Sequence, residues 1–269
     1  MYWISGKAGS GKSTLLKFLY DSDRTGECLR TWAGATPLAI ATFFFWNSGA
    51  KEQKSQTGLL RALLFQIFTQ HMELVPECLP EDWAMTYVIG TQNILASRQL
   101  KTSWSVRKLM DTLRAVIHQK TIPLKIFLFI DGLEEFDGDY EELSRLFQEI
   151  SQSTSTKVCL SSRPWIVFED VFGKCSKLQL QNSTYPDVDK YISDKLTRND
   201  AFQRLAELEP KGALALIHEI VKKADGVFLW VKLVVQSLVK ASEIGTNCRI
   251  CGREYVFSRE SWRLCTSIC

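Results

Sequence analysis

Met1-Tyr-Trp-Ile-Ser-Gly-Lys-Ala-Gly-Ser-Gly-Lys-Ser-Thr14 reads as a short apolar strand, a glycine-rich turn and the start of a helix. Gly6, Gly11, Lys12 and Ser13 fill the G-x-x-x-x-G-K-[ST] pattern of a phosphate-binding loop. Each fixed position answers to chemistry. Glycine lets the backbone wrap closely around a polyphosphate and adopt φ > 0. The N–H groups of Gly6, Lys7, Ala8, Gly9, Ser10 and Gly11 lie at the foot of a helix starting near Lys12, and turn partial positive charge toward such an anion. Lys12 reaches the β- and γ-phosphates, the Ser13 hydroxyl can ligate Mg²⁺, and Thr14 falls near the α-phosphate. Four fixed positions arise by accident in about one chain in a hundred of this length. The strand end Tyr2-Trp3-Ile4 and the apolar helix residues Leu15, Leu16, Phe18 and Leu19 lower those odds further.

A phosphate loop needs an acid on a neighbouring strand. Lys125-Ile-Phe-Leu-Phe-Ile-Asp131 supplies one at the end of an apolar run. Asp131 is expected at the strand's C-terminal end, the edge where ligands bind in open α/β sheets, as the Mg²⁺ carboxylate. Glu134 and Glu135 follow and can orient or deprotonate an attacking water. They can equally be an acidic pair favoured at a helix start. Arg163 follows the strand Lys157–Ser161 and can sense the γ-phosphate from the same edge, or be a surface arginine before Pro164.

The chain between these motifs alternates strand and helix. Leu38 to Trp46 (LAIATFFFW) is an apolar strand of the kind covered on both faces, with Phe43 to Trp46 assigned to the core. Thr57 to His71 and Ser103 to Gln119 show helical spacing, with Ser103 as N-cap of the second. The helix from Lys12 ends in the polar run Asp21 to Gly26, Pro76 and Pro80 mark a loop, and Glu81 to Lys101 gives only short helices. Tyr140 to Ile150 is a helix, and Ser176 to Leu180 a last edge strand. From Ser183 on only helices follow: Tyr185–Leu196, Ala201–Leu208, Gly212–Lys223 and Val227–Val239. The expected architecture is α/β, a parallel sheet with right-handed crossovers sandwiched by helices, then a small all-α domain. The expected domains are 1–182 for nucleotide binding, 183–242 helical, and 243–269 a cysteine-rich, disordered tail.

With 269 residues the chain can bury a sizeable core. A net charge of +3 without basic blocks gives no argument for nucleic acid or membrane. Val227 to Val239 is interrupted by Lys232 and Gln236 and is too short to span a bilayer. The loop begins at Gly6, which leaves no room for a signal peptide, so a cytoplasmic protein is expected. Of eight cysteines, Cys159 lies in an apolar strand pattern, as a buried free thiol would.

The ordered set WISGKAGSGKST, LAIATFFFWNSG, KIFLFIDGLEEFDGD, KVCLSSRPW and ADGVFLWVKLVV resembles the NACHT branch of the signal-transduction ATPases with numerous domains (STAND). The likeness is to the form abundant in filamentous fungi, whose ATPase core is also described as nephrocystin-like, and covers about residues 2 to 240. It implies a P-loop NTPase fold related to AAA+ proteins: an NLR-like signalling switch holding ADP at rest and ATP when active, and oligomerising to recruit a partner domain. By motif, Gly6 to Thr14 is then the Walker A loop and Asp131 the Walker B magnesium residue. Glu134 takes the second acidic position, with Glu135 next, and Arg163 the sensor-1 position. Gly226-Val-Phe-Leu-Trp230 falls where relatives carry a glycine-x-proline segment that touches the nucleotide, here without proline. Effector and sensor domains flank this core in such proteins, and the resemblance implies a chain truncated at both ends.

Cys248, Cys251, Cys265 and Cys269 form C-x₂-C-x₁₃-C-x₃-C, near the spacing of zinc sites. The last ligand would be the final residue, and the second pair lacks a turn glycine, which weighs against zinc. Two functions stay open on these residues: a Mg²⁺-dependent ATP/ADP switch with slow hydrolysis, or a module that binds nucleotide without turnover. A small-molecule kinase or transporter-type ATPase is disfavoured by the absence of an LSGGQ-like signature and of an arginine-rich lid.

Overall fold

A computed structural model describes residues 1–92, 104–208 and 210–243 of the chain. Five strands make one parallel sheet: β1 (Tyr2–Ser5), β2 (Leu38–Phe44), β3 (Lys125–Asp131), β4 (Thr156–Ser162) and β5 (Ser176–Gln179), in the order β2-β3-β4-β1-β5. The register pairs Leu38 with Lys125 and Phe44 with Asp131, and Ile126 with Thr156 through Ile130 with Leu160. β3 is a nearly continuous apolar run, and β4 buries six of its seven residues, because both of their faces are covered.

Helices α1 (Lys12–Asp21), α2 (Asp23–Ala33), α3 (Gln56–Gln70), α4 (Leu74–Cys78), α5 (Pro80–Gln92), α6 (Val106–His118), α7 (Tyr140–Ile150) and α8 (Ile166–Phe172) lie between the strands. Helix starts follow capping chemistry. Ser55 Oγ accepts from Gly58 N–H, Ser105 Oγ from Lys108 N–H, and Asp139 from the N–H groups of Glu141 and Glu142. The chain then continues as α9 (Leu180–Ser183), α10 (Tyr185–Leu196), α11 (Asp200–Leu208), α12 (Pro210–Ala224) and α13 (Phe228–Glu243).

Two compact units result. The first takes Met1–Ile4 and Ser13–Lys177; the second takes Ser5–Lys12 and the described residues from Leu178 on. One core in the first unit joins Trp3, Leu59, Leu63, Leu113, Leu128, Leu146, Phe147, Phe168 and Phe172, all fully buried or nearly so. A second, smaller cluster there gathers Leu16 of α1 against Ile4, Leu29, Phe129 and Cys159. In the second unit Val188, Ile192 and Leu196 of α10 meet Leu216 and Ile220 of α12 and Val231 and Val235 of α13. The i, i+4 spacing of these residues makes one apolar stripe per helix.

β2 is an outer strand, and two side chains of α3 cover its open backbone. Gln66 accepts from Thr42 N–H at 3.0 Å and donates to Thr42 C=O at 2.8 Å. Gln70 repeats the pattern one turn later on Ile40, at 3.0 and 2.8 Å. The helical spacing of four thus matches the strand spacing of two.

Several expectations need correction. The polar run after Asp21 is helix α2, with Leu29 and Ala33 docked four residues apart and Gly34 ending it. Pro76 and Pro80 lie in helices rather than a loop. Both occupy first turns, where the missing N–H has no partner to lose. Phe18 is 66% exposed and Trp46 is 55% exposed, so neither belongs to the core. Ser105 caps α6, and the expected cap Ser103 falls outside the described residues. The motif after Pro164 is a short helix, α8, anchored by Phe168 and Phe172. Among the described residues no helix is long and apolar enough to cross a membrane.

Candidate functional site

The phosphate loop belongs to the second unit up to Lys12. Gly9 and Gly11 have φ of 71° and 98°, values that side chains resist, so the loop's shape requires glycine at both. At Gly6 an added Cβ would lie 2.5 Å from Ser10 Oγ, so the loop closes on itself there. Lys12 is 7% exposed, and its ammonium donates across the loop to Gly6 C=O at 2.9 Å. A buried ammonium is tolerated only where such acceptors meet it.

Residues far along the chain complete this loop. Lys7 is ion-paired with Asp225, and Leu229 N–H donates to Gly9 C=O at 3.0 Å. Val227 and Leu229 pack where a side chain on Gly9 would stand. The Gly226–Trp230 segment, assigned to the nucleotide by resemblance, therefore rests on the phosphate loop itself. Asp225 has a φ of 46°, unusual without glycine, and Gly226 follows at 78°. A Cβ on Gly226 would meet Gln181 Cα at 2.7 Å.

The other residues belong to the first unit. Ser13 and Thr14 open α1 with exposed side chains. Asp131 ends β3 at 3% exposure and accepts a hydrogen bond from Ser161 Oγ. Ser161 Oγ also accepts from Gly132 N–H at 3.1 Å. Glu134 and Arg163 lie together, with Arg163 Nε 3.5 Å from Glu134 Oε1; the glutamate side chain is buried and the arginine half-exposed. Glu135 is turned elsewhere. Its carboxylate accepts from Asn47 N–H at 2.9 Å, tying the 3₁₀ turn Leu133–Glu135 to the segment after β2.

An aromatic chain lies behind these residues. Trp3, Phe172, Phe168, Trp165, Tyr140 and Phe136 touch in succession, with ring centroids 5.5–6.2 Å apart. Trp3 Nε1 donates to Ser162 Oγ at 2.9 Å, and Tyr140 OH to Glu134 C=O at 3.2 Å. Burial, then the nearby Asp137 and Glu134 carboxylates, raise the Tyr140 phenol above its ordinary value.

Ser161 and Asp225 are the contributors that sequence reading missed; Leu229 lies in the Gly226–Trp230 segment it named. Ser161 and Ser162 left a trace, two hydroxyls ending an apolar strand beside Arg163; Asp225 left none. The oxygen donors present suit magnesium. Asp131 offers a carboxylate held by a hydroxyl, and Ser13 a hydroxyl in the first turn of a helix. Mg²⁺ takes one or two such protein oxygens and completes its shell with phosphates and water. Cys248, Cys251, Cys265 and Cys269 lie outside the described residues.

The family described as nephrocystin 3, N-terminal, matches residues 1–163, from the phosphate loop through Arg163. The chain is also similar to vegetative incompatibility protein HET-E-1 of Podospora anserina, at 26% identity over 251 residues. That match takes in 88% of this chain and 16% of the length of HET-E-1. Among solved structures, that of Drosophila ORC bound to DNA is similar at 16% identity and a TM-score of 0.38, covering 99% of this chain and 61% of that one. The chain belongs to the nephrocystin 3 N-terminal family, a NACHT-like module of nucleotide-binding NTPase type with a P-loop NTPase fold.

Proposed function

We propose that the chain is an ATP/ADP-binding switch module of the NACHT signalling type, with slow hydrolysis. The observation that carries this reading is Lys12, a buried ammonium held across a loop built on two left-handed glycines. In this reading Gly6 to Thr14 hold the phosphates, Ser13 and Asp131 hold Mg²⁺, and Arg163 meets the γ-phosphate. Magnesium, when bound, neutralises charge on the β- and γ-phosphates. In the same reading Glu134 holds Arg163 and polarises water, and Glu135 fixes the turn that carries Glu134. Nucleotide chemistry is assigned to residues 1–182, the switch to the helices of 183–242, and the cysteine tail 243–269 to neither. The setting is cytoplasmic, with self-association through the nucleotide domain and, as in longer STAND proteins, effector and sensor domains as partners.

A second reading, nucleotide binding without turnover, is favoured by the engagement of both glutamates, Glu134 with Arg163 and Glu135 with Asn47. Titration with a fluorescent ATP analogue and steady-state phosphate release test the two. Lys12→Ala is expected to weaken binding by at least about tenfold, the loss of a charged phosphate contact. Unchanged affinity in Lys12→Ala overturns both readings. Phosphate release that falls to background in Glu134→Gln supports the hydrolytic switch. Equal background release from both proteins, with binding intact, supports the binding-only module.

A further inference from the structure

We propose that Ser161 is a positioning residue for magnesium: it fixes the Asp131 carboxylate in the orientation from which Asp131 serves the metal. This rests on the nucleotide-binding reading above.

The geometry leaves Ser161 little choice of role. It lies in β4 one residue beyond the Ile130–Leu160 pair and one before the strand's end, and both it and Asp131 are buried. A serine hydroxyl has one proton and two lone pairs. Gly132 N–H occupies a lone pair at 3.1 Å, so the proton is directed to Asp131 Oδ1, the other partner of Ser161 Oγ. The left-handed backbone at Gly132, φ 72°, belongs to the turn that brings this N–H to the hydroxyl. Asp131 Oδ1 is thus held by a neutral hydroxyl donor, the kind of partner a carboxylate oxygen accepts from. Partners of this kind set the orientation of metal-binding carboxylates, and their loss commonly costs 10–100-fold in metal affinity.

The test is ATP affinity of the full chain, measured with excess Mg²⁺ and with EDTA. The ratio of the two dissociation constants is the magnesium enhancement. Asp131→Asn is expected to abolish it. Ser161→Ala is expected to reduce it about tenfold while leaving the affinity in EDTA unchanged. Ser161→Thr, which keeps the hydroxyl, is expected to restore it. If Ser161 only satisfied a buried N–H, its replacement by alanine would lower thermal stability and leave the ratio alone. Wild-type enhancement in Ser161→Ala therefore overturns the proposal. If that variant does not fold, Ser161→Cys, a weaker donor of similar size, serves instead; an undiminished ratio there overturns it equally. No nucleotide binding by the wild type in either buffer sinks the nucleotide-binding reading itself, a distinct outcome.

Discussion

Lys7 of the phosphate loop is ion-paired with Asp225, 218 positions further along the chain. Both side chains are substantially exposed, 42% and 75%, so the pair contributes less than about 1 kcal/mol to stability. Its charge matters more at the loop. Asp225→Asn leaves Lys7 unneutralised beside an anion site and keeps a residue that tolerates positive φ. The expected result is nucleotide binding tighter by about two- to fivefold at low salt, fading at high salt as screening grows. Lys7→Ala is expected to weaken binding by a similar factor. Calorimetric titration at two ionic strengths checks both signs.

Phe168 is fully buried and stacks on Trp165 and Phe172 with ring planes 11° and 6° apart. Phe168→Ala empties the middle of the aromatic chain under the strand tips. Expected destabilisation is about 3–5 kcal/mol. Urea denaturation should show a lower midpoint with an unchanged slope.

Arg114 of α6 grips Glu149 of α7 through two bonds, 2.8 and 3.0 Å. That hydrogen bonding, opposed by partial burial, holds the Glu149 carboxyl below its ordinary value of 4.5. A carboxyl lowered in the folded state stabilises above its unfolded value, and the benefit disappears as pH falls through the folded one. Both side chains are about 40% exposed, so screening keeps the effect small. Glu149→Gln is expected to cost on the order of 0.5 kcal/mol at pH 7. The gap from wild type should close toward pH 3, as read by chemical denaturation across that range.

Burial pushes the Cys159 thiol up to about 12, while Cys28 is exposed. Thiolate is the reactive form, so among the cysteines of the described residues alkylation at pH 8 should mark Cys28 first and Cys159 only on unfolding. Cys78 and Cys175, half-buried and raised mainly by desolvation, should fall between. Peptide mass spectrometry over a time course gives the order.

A long apolar run made β3 readable and the short one Val158-Cys159-Leu160 made β4 so, and the period of Leu143, Leu146, Phe147 and Ile150 set the bounds of α7. α2 was hidden because Gly26 and charged residues outnumber the two side chains that dock it. α8 was hidden because Ile166-Val-Phe carries β-branched residues just after proline. Around the site, the sequence pointed to Gly6 through Thr14, Asp131, Glu134, Glu135 and Arg163 as candidates. It could not tell that Glu134 faces Arg163 while Glu135 turns to Asn47, since adjacent residues of a 3₁₀ turn diverge. Nor could it find Ser161 beside Asp131 without the register of β3 on β4. The Lys7–Asp225 pair is set by tertiary packing alone and has no local signature.

The two glutamines of α3 on β2 bear on how this molecule meets others. Unsheltered margins of sheets invite extended peptides to zip on and chains to stack into fibres. Here a visiting strand would have to evict Gln66 and Gln70 and replace four good hydrogen bonds before gaining any. That flank of the sheet is closed to newcomers.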